Sequence, residues 1–257
     1  MAAITVRDLN YAYQDNGGVF PALRGLTFSV RAGEFVTVAG HSGCGKTTLL
    51  RILAGLLKPG SGQAQINGQA ISGPGPDRAM VFQQYSLFPW MTAERNVRFG
   101  VSQMRTGLSK VESSRIALDY LGRVGMAEAA GKYPFQLSGG MQQRVAIARA
   151  LAVDAEILLL DEPFGAVDPK TRAQLQQLLL NLWQSSGPRK TVIFVTHDID
   201  EALFLSDRIF FMEPGRIVRC LEIPFPRPRC QEALEKTGEY AALRETLLGL
   251  FYGQGGG

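Results

Sequence analysis

Three features of the sequence predict an α/β fold with a mostly parallel core sheet. Two short apolar runs, residues 157–160 and 192–195, suit strands buried on both faces, and a helical stretch over 170–183 joins them into a β-α-β unit. A glycine-rich segment, Gly40 to Gly45, lies between a strand candidate and a helix candidate. From about Leu87 to Gln136 helical stretches replace strands, as expected of a lobe inserted in an α/β core.

The elements follow in order. Residues 4–40 read as short strands separated by turns, with Asp15-Asn16-Gly17-Gly18 breaking one pair and Arg31-Ala32-Gly33 leading into the next. Residues 34–39 form a compact strand. Residues 46–57 have helical composition and stop at Lys58-Pro59-Gly60. Further strands are predicted at 63–66 and 79–82, on either side of the turn Gly73-Pro74-Gly75-Pro76. In the helical lobe, Ile116, Leu118, Leu121 and Val124 supply an apolar face. Beyond Ile223, Pro224, Pro226 and Pro228 mark a linker. A helix over about 231–252 follows, with Leu243, Leu247, Leu250 and Phe251 on one side. Two readings of that stripe stand: packing on its own domain, or a partner or regulatory surface.

Composition bounds the answer loosely. A chain of 257 residues can bury a substantial core, and 46% hydrophobic with 19% charged residues is ordinary for a globular protein, so disorder is not the default reading. The formal charge of +4 suits an anionic partner and equally a solvated surface. Three cysteines, Cys44, Cys220 and Cys230, form neither a disulfide framework nor a close-spaced metal cluster, and point to a reducing compartment. The first residues alternate like a strand and lack the apolar core of a signal peptide. No uncharged apolar run is long enough to span a bilayer, so service to a membrane would require docking onto something that does. Nor is there an internal repeat.

The chemistry is concentrated in a few segments. Gly40-His41-Ser42-Gly43-Cys44-Gly45-Lys46-Thr47-Thr48 fits the P-loop pattern G-x-x-x-x-G-K-[ST] in its required strand-to-helix setting. Glycines let consecutive N–H groups turn towards phosphate oxygens, and the helix N-terminus adds partial positive charge. Lys46 is suited to the β- and γ-phosphates of a nucleotide such as ATP, and the Thr47 hydroxyl to Mg²⁺. His41 and Cys44 line the loop without chemistry, and the Cys44 thiol would be sensitive if exposed. The strand over 157–160 ends in Asp161-Glu162, at the edge of the sheet where ligands bind. Asp161 is the candidate metal ligand, and Glu162 the candidate base that polarises an attacking water.

The segment from Leu137 to Arg144 (LSGGMQQR), opening an alanine-rich helix, resembles the signature sequence of the ABC ATPases. Ser138 suits an N-cap, and Gly139 and Gly140 permit close approach of an anion. The resemblance covers about residues 4–225. It implies a P-loop NTPase of ABC-ATPase type with an N-terminal antiparallel β subdomain. The ATPase domain would run over 1–225, its helical subdomain (about 87–152) inserted in a RecA-like core, with a linker and amphipathic helix at 226–257. It also implies that Gln83 is the Q-loop glutamine, touching Mg²⁺ or the attacking water, and that His197 is the switch histidine at the γ-phosphate. Asp168 falls in a D-loop with Val167 where leucine is more usual, and Tyr13 is the aromatic that stacks on adenine, with Tyr11 its rival.

On this resemblance Ser138, Gly139 and Gly140 complete the ATP held by a second ATPase subunit, whether a copy of this chain or a close relative. The further partners implied are a transmembrane permease and, indirectly, a periplasmic or extracellular substrate-binding protein, at the cytoplasmic face of the inner (plasma) membrane. Residues 73–78 and 87–92, with Phe225-Pro226-Arg227-Pro228-Arg229, look most like the nitrate, sulfonate and taurine importers. Trp90 is placed either to receive the permease or simply to pack. The alternatives are the ATPase of another small-molecule importer, a P-loop kinase, which would have no use for the Ser138-Gly139-Gly140 segment, and a soluble ABC-type ATPase acting on nucleic acid or ribosomes. Proteins of this last kind carry tandem ATPase units or long coiled-coil insertions, and this chain has neither, so no nucleic-acid partner is expected.

Overall fold

The computed structural model describes residues 2–15, 18–83, 86–165, 167–185 and 189–253. In chain order the elements are β1 (Ala2–Asp15), β2 (Gly18–Arg31), β3 (Phe35–Gly40), α1 (Lys46–Leu53), β4 (Ser61–Ile66), β5 (Gln69–Ala70), β6 (Arg78–Val81), α2 (Ala93–Met104), α3 (Lys110–Arg123), α4 (Gly139–Ala152), β7 (Ile157–Asp161), α5 (Pro169–Ser185), β8 (Thr191–Thr196), α6 (Ile199–Leu205), β9 (Arg208–Glu213), β10 (Arg216–Glu222), α7 (Gln231–Leu234) and α8 (Gly238–Tyr252). They fall into two compact units, Met1–Pro74 with Thr191–Gly257, and Gly75–Lys190.

The first unit holds two sheets. One is antiparallel in the order β2-β1-β4-β5, and its two longest strands pair along most of their length with bulges near Asp8 and Leu9. The other runs β10-β9-β3-β8, with β3 parallel to both β8 and β9. Every residue of β3 and β8 is buried, which is why both read as unbroken apolar runs. The loop leaving β3 and the loop leaving β8 emerge side by side, because Ala39 lies opposite Thr196. Glu34, just before β3, takes both Arg208 Nε (2.5 Å) and Arg208 Nη2 (2.9 Å). Burial opposes the charge on Glu34, yet the contacts with Arg208 and Arg31 hold its carboxyl below the ordinary range.

The second unit pairs β7 parallel with β6 and carries α2 to α5. Its helices begin on side-chain caps. Thr92 accepts from Arg95 N (3.3 Å), and Ser109 and Glu112 form a reciprocal capping box.

Four sequence expectations change. The helix predicted over 46–57 stops at Leu53, because Gly55 turns at φ +77° with the Gly73 carbonyl occupying the place of a Cβ. The helix predicted over 231–252 is two helices. Thr237 hydrogen-bonds the Leu234 carbonyl at the end of α7 and caps α8 by accepting from Tyr240 N (3.2 Å). In α3 the buried side is Ser113, Ala117 and Leu121, with Val124 following; Leu121 and Val124 are buried as predicted, while Leu118 is exposed and Ile116 only half-buried. The first strands, expected to be short, are 14 residues each, since bulges let one strand absorb local irregularity without ending.

Candidate functional site

In the first unit the strand β3 delivers the chain into the glycine-rich loop, and α1 begins at Lys46. Lys46 is buried, and its ammonium donates to the carbonyls of Gly40 (2.7 Å) and His41 (2.8 Å), so the cation is held over the loop it closes. Two glycines are fixed by close approach as much as by backbone freedom. A Cβ on Gly40 would overlap the Met212 carbonyl of β9, and one on Gly45, at φ +109°, would overlap the Ala22 carbonyl of β2. Ser42 and Gly43 are exposed, with nothing near the position of a Cβ on Gly43, so this side of the loop is open for a ligand.

Cys44 is buried, which raises its thiol's pKa, while Lys46 Nζ 3.9 Å away works in the opposite sense. The sensitive thiol considered from sequence is therefore shielded. Thr48, behind the loop, shares a hydrogen bond of 3.1 Å with the Tyr13 hydroxyl. Tyr13 is 38% exposed, and Tyr11 meets its ring edge-on at 5.0 Å. Of the two rings Tyr13 is the more exposed, and its hydroxyl is anchored beside the loop.

His197 is exposed at the end of β8. Sequence reading missed how it is set. Thr196 donates to Glu201 (2.6 Å) and accepts from Asp198 N (3.0 Å), and Asp198 caps α6 through Asp200 N and Glu201 N, both 3.0 Å. The signal was there in Asp198-x-x-Glu201, a helix-start pattern overlapping the histidine.

In the second unit β7 ends with Asp161 buried, and Glu162 follows at φ +43°, a left-handed conformation unusual for a non-glycine residue and common at functional sites. Gln83, two residues beyond β6, donates to the Glu162 carboxylate at 3.4 Å, so the unit brings two predicted catalytic residues together. Ser138 caps α4 by accepting from Met141 N (3.3 Å), and Gly140 packs so tightly on Thr171 that a Cβ would meet its methyl at 2.6 Å. Gln142, also missed from sequence, braces the segment by donating to the carbonyls of Pro134 (3.0 Å) and Leu137 (3.2 Å).

Ser138, Gly139, Gly140, Val167, Asp168 and Thr171 face a cleft of about 280 Å³. Asp168 caps α5 by accepting from Thr171 N (3.0 Å), and Thr171's side chain and amide hold its carboxyl below the ordinary range. A second cavity in this unit, about 460 Å³, is lined by Met80, Phe82, Phe88, Phe99, Met104 and Arg149 among others. Trp90 is 68% exposed and touches Phe88 at 5.5 Å between ring centroids.

A phosphate loop closed by a buried lysine, with a carboxylate pair at the end of a buried strand, defines a nucleoside triphosphatase of the P-loop class. A family profile described as ABC transporter matches residues 23–165, and the chain belongs to that family. It is 50% identical over 238 residues, 91% of this chain and 86% of the relative, to the nitrate import ATP-binding protein NrtD of Synechococcus elongatus. It is 44% identical over 254 residues, 98% of this chain and 89% of the relative, to the bicarbonate transport ATP-binding protein CmpD of Synechocystis. Among solved structures, a dimeric ATP-binding cassette in a post-hydrolysis state, bound to ADP and Pi, matches with a TM-score of 0.79 at 34% identity, over 87% of this chain and all of that one. The protein is an ATP-binding, ATP-hydrolysing subunit of the ABC transporter type. No helix among the described residues is long and apolar enough to cross a membrane.

Proposed function

We propose that this chain powers the import of a small anion through a separate membrane permease, working as a dimer of ATPase subunits peripheral to the cytoplasmic face. The observation that carries the cargo reading is the similarity along nearly the whole chain to relatives named for nitrate import and bicarbonate transport. Both cargoes are small, planar, singly charged oxyanions. The sequence resemblance to sulfonate and taurine importers keeps those sulfonates in the test.

The proposed roles rest on the motif residues, and the local geometry supports them. Lys46, with the amides of Gly40 to Thr48, grips the triphosphate, and Tyr13 stacks on adenine. Glu162 polarises the attacking water, with Gln83 orienting its carboxylate through the hydrogen bond described above. His197 contacts the γ-phosphate. Thr47, Asp161 and Gln83 each offer a hard oxygen donor of the kind Mg²⁺ takes, and the ion when bound would neutralise phosphate charge. The cleft bearing Ser138, Gly139, Gly140 and Asp168 is the face offered to nucleotide on a second protomer, and the symmetric pairing places two nucleotides in one interface. The helical subdomain (about 87–152) and the apolar cavity beside Phe88 and Trp90 are the surface offered to the permease.

The test is reconstitution of the chain with its permease and binding protein in proteoliposomes. ATP turnover should rise with nitrate or bicarbonate outside, and more than with taurine. Equal stimulation by a neutral sugar or an amino acid would refute the anion reading. Recovery of the chain from membranes, with loss on a salt wash, checks peripheral attachment.

A further inference from the structure

The terminal helix α8 presents one face, Tyr240, Arg244, Leu247 and Phe251, at spacings of four, three and four residues. That face spans three turns, about 16 Å. Its middle is anchored: Leu247 is fully buried in a cluster with Ala39, Ala202, Ile209 and Phe211. Its two ends do something packing alone does not require. At the far end, the Phe251 ring meets Phe211 at 4.9 Å and the His41 ring, edge-on, at 5.4 Å. His41 is the residue whose carbonyl holds the Lys46 ammonium at 2.8 Å. At the near end, the Asp200 carboxylate accepts the Tyr240 hydroxyl (2.8 Å) and Arg244 Nε (2.8 Å). Asp200 lies in the first turn of α6, three residues after His197, and its own N–H is tied to the Asp198 cap. These groups all belong to the first unit.

We propose that α8 is a positioning strap that fixes the spacing between the phosphate loop and the switch-histidine segment: Phe251 holds the former through His41, while Tyr240 and Arg244 hold the latter through Asp200. The loops leave neighbouring parallel strands at Ala39 and Thr196, so they start aligned, and the β3–β8 pairing ends there. A helix bound to both makes them move as one body. The strap assigns residues to the reaction without giving them contact with nucleotide, and it rests on the ATP-site reading above. Misplacement of a reacting group by about 1 Å costs on the order of 100-fold in rate, so modest loosening should be measurable.

The experiment uses the full chain and measures kcat and KM for ATP with the melting temperature of each variant. Phe251→Ala should raise KM about threefold to tenfold, the range expected for losing an aromatic pair. Arg244→Ala, at a half-exposed position, should lower kcat about twofold to fivefold with a smaller change in KM, and Arg244→Lys should recover most of it. Unchanged kcat and KM in both alanine variants, whatever happens to the melting temperature, would overturn the strap. Should Phe251→Ala not fold, Arg244→Ala with its lysine rescue decides alone. Lys46→Ala separates the two ideas. If it abolishes hydrolysis while the α8 variants are silent, the ATP site stands and the strap fails. If it hydrolyses ATP like the parent, the site reading itself falls and the strap with it.

Discussion

The phosphate loop of the first unit and the signature segment of the second both offer helix N-termini to an anion, but they are built from different material. The phosphate loop follows a strand that is buried throughout, and its Gly40 and Gly45 are pressed against backbone carbonyls of β9 and β2. The signature segment and the start of α5 stand on side-chain caps, Ser138 and Asp168, and Gly140 is pressed against a threonine methyl. Backbone cannot retreat and a side chain can. The first region should therefore be rigid and unforgiving of substitution, the second adjustable. That division suits the roles proposed above, a loop that keeps its nucleotide and a surface that meets and leaves a partner's.

The sharpest separation is between gripping and chemistry. Glu162→Gln should lower kcat by about 10²- to 10⁴-fold while ATP binding survives, and should leave an ATP-stabilised dimer on a sizing column. Turnover near the parent's would remove Glu162 from the mechanism. Next in size is a paired glycine test. Gly40→Ala should cost about 1–3 kcal/mol in a urea titration, because the Met212 carbonyl blocks the new methyl, whereas Gly140→Ala should cost less, since the Thr171 side chain can rotate. Equal losses would erase the contrast between the two regions.

Ser138→Ala should cost about 1 kcal/mol, the usual worth of an N-cap, and Ser138→Asn should restore most of it. The smallest effect is acidity. Asp168 has its folded pKa held below the ordinary 3.8, so its contribution is complete above that value and is lost as pH falls through the lower folded value. The protection factor of the Thr171 amide, its exchange rate corrected for the intrinsic effect of pH, should therefore fall on acidification, and Asp168→Asn should remove that dependence. A dependence that persists in the variant would mean another group titrates there.

The motif residues were legible because each is a chemical necessity at a fixed spacing. A phosphate loop needs glycines and a lysine at set intervals, and a buried strand ending in two carboxylates has few bland explanations. Ser138 was readable as a cap because capping is local, involving residues only three apart in sequence. The α/β class and the helical stretch came from periodicity, which is also local.

Sequence by itself thus determined the class of fold and the nucleotide chemistry, since both depend on neighbours a few positions away. Tertiary structure alone decided that Gly40 and Gly45 lie against carbonyls of β9 and β2, that Leu118 faces outward, that the terminal helix breaks at Thr237, and that Phe251 and Arg244 reach the segments following β3 and β8. The reason is range. His41 and Phe251, or Asp200 and Arg244, become neighbours only when the sheet is assembled and α8 has found its groove, and no pattern within either segment encodes the distance between them.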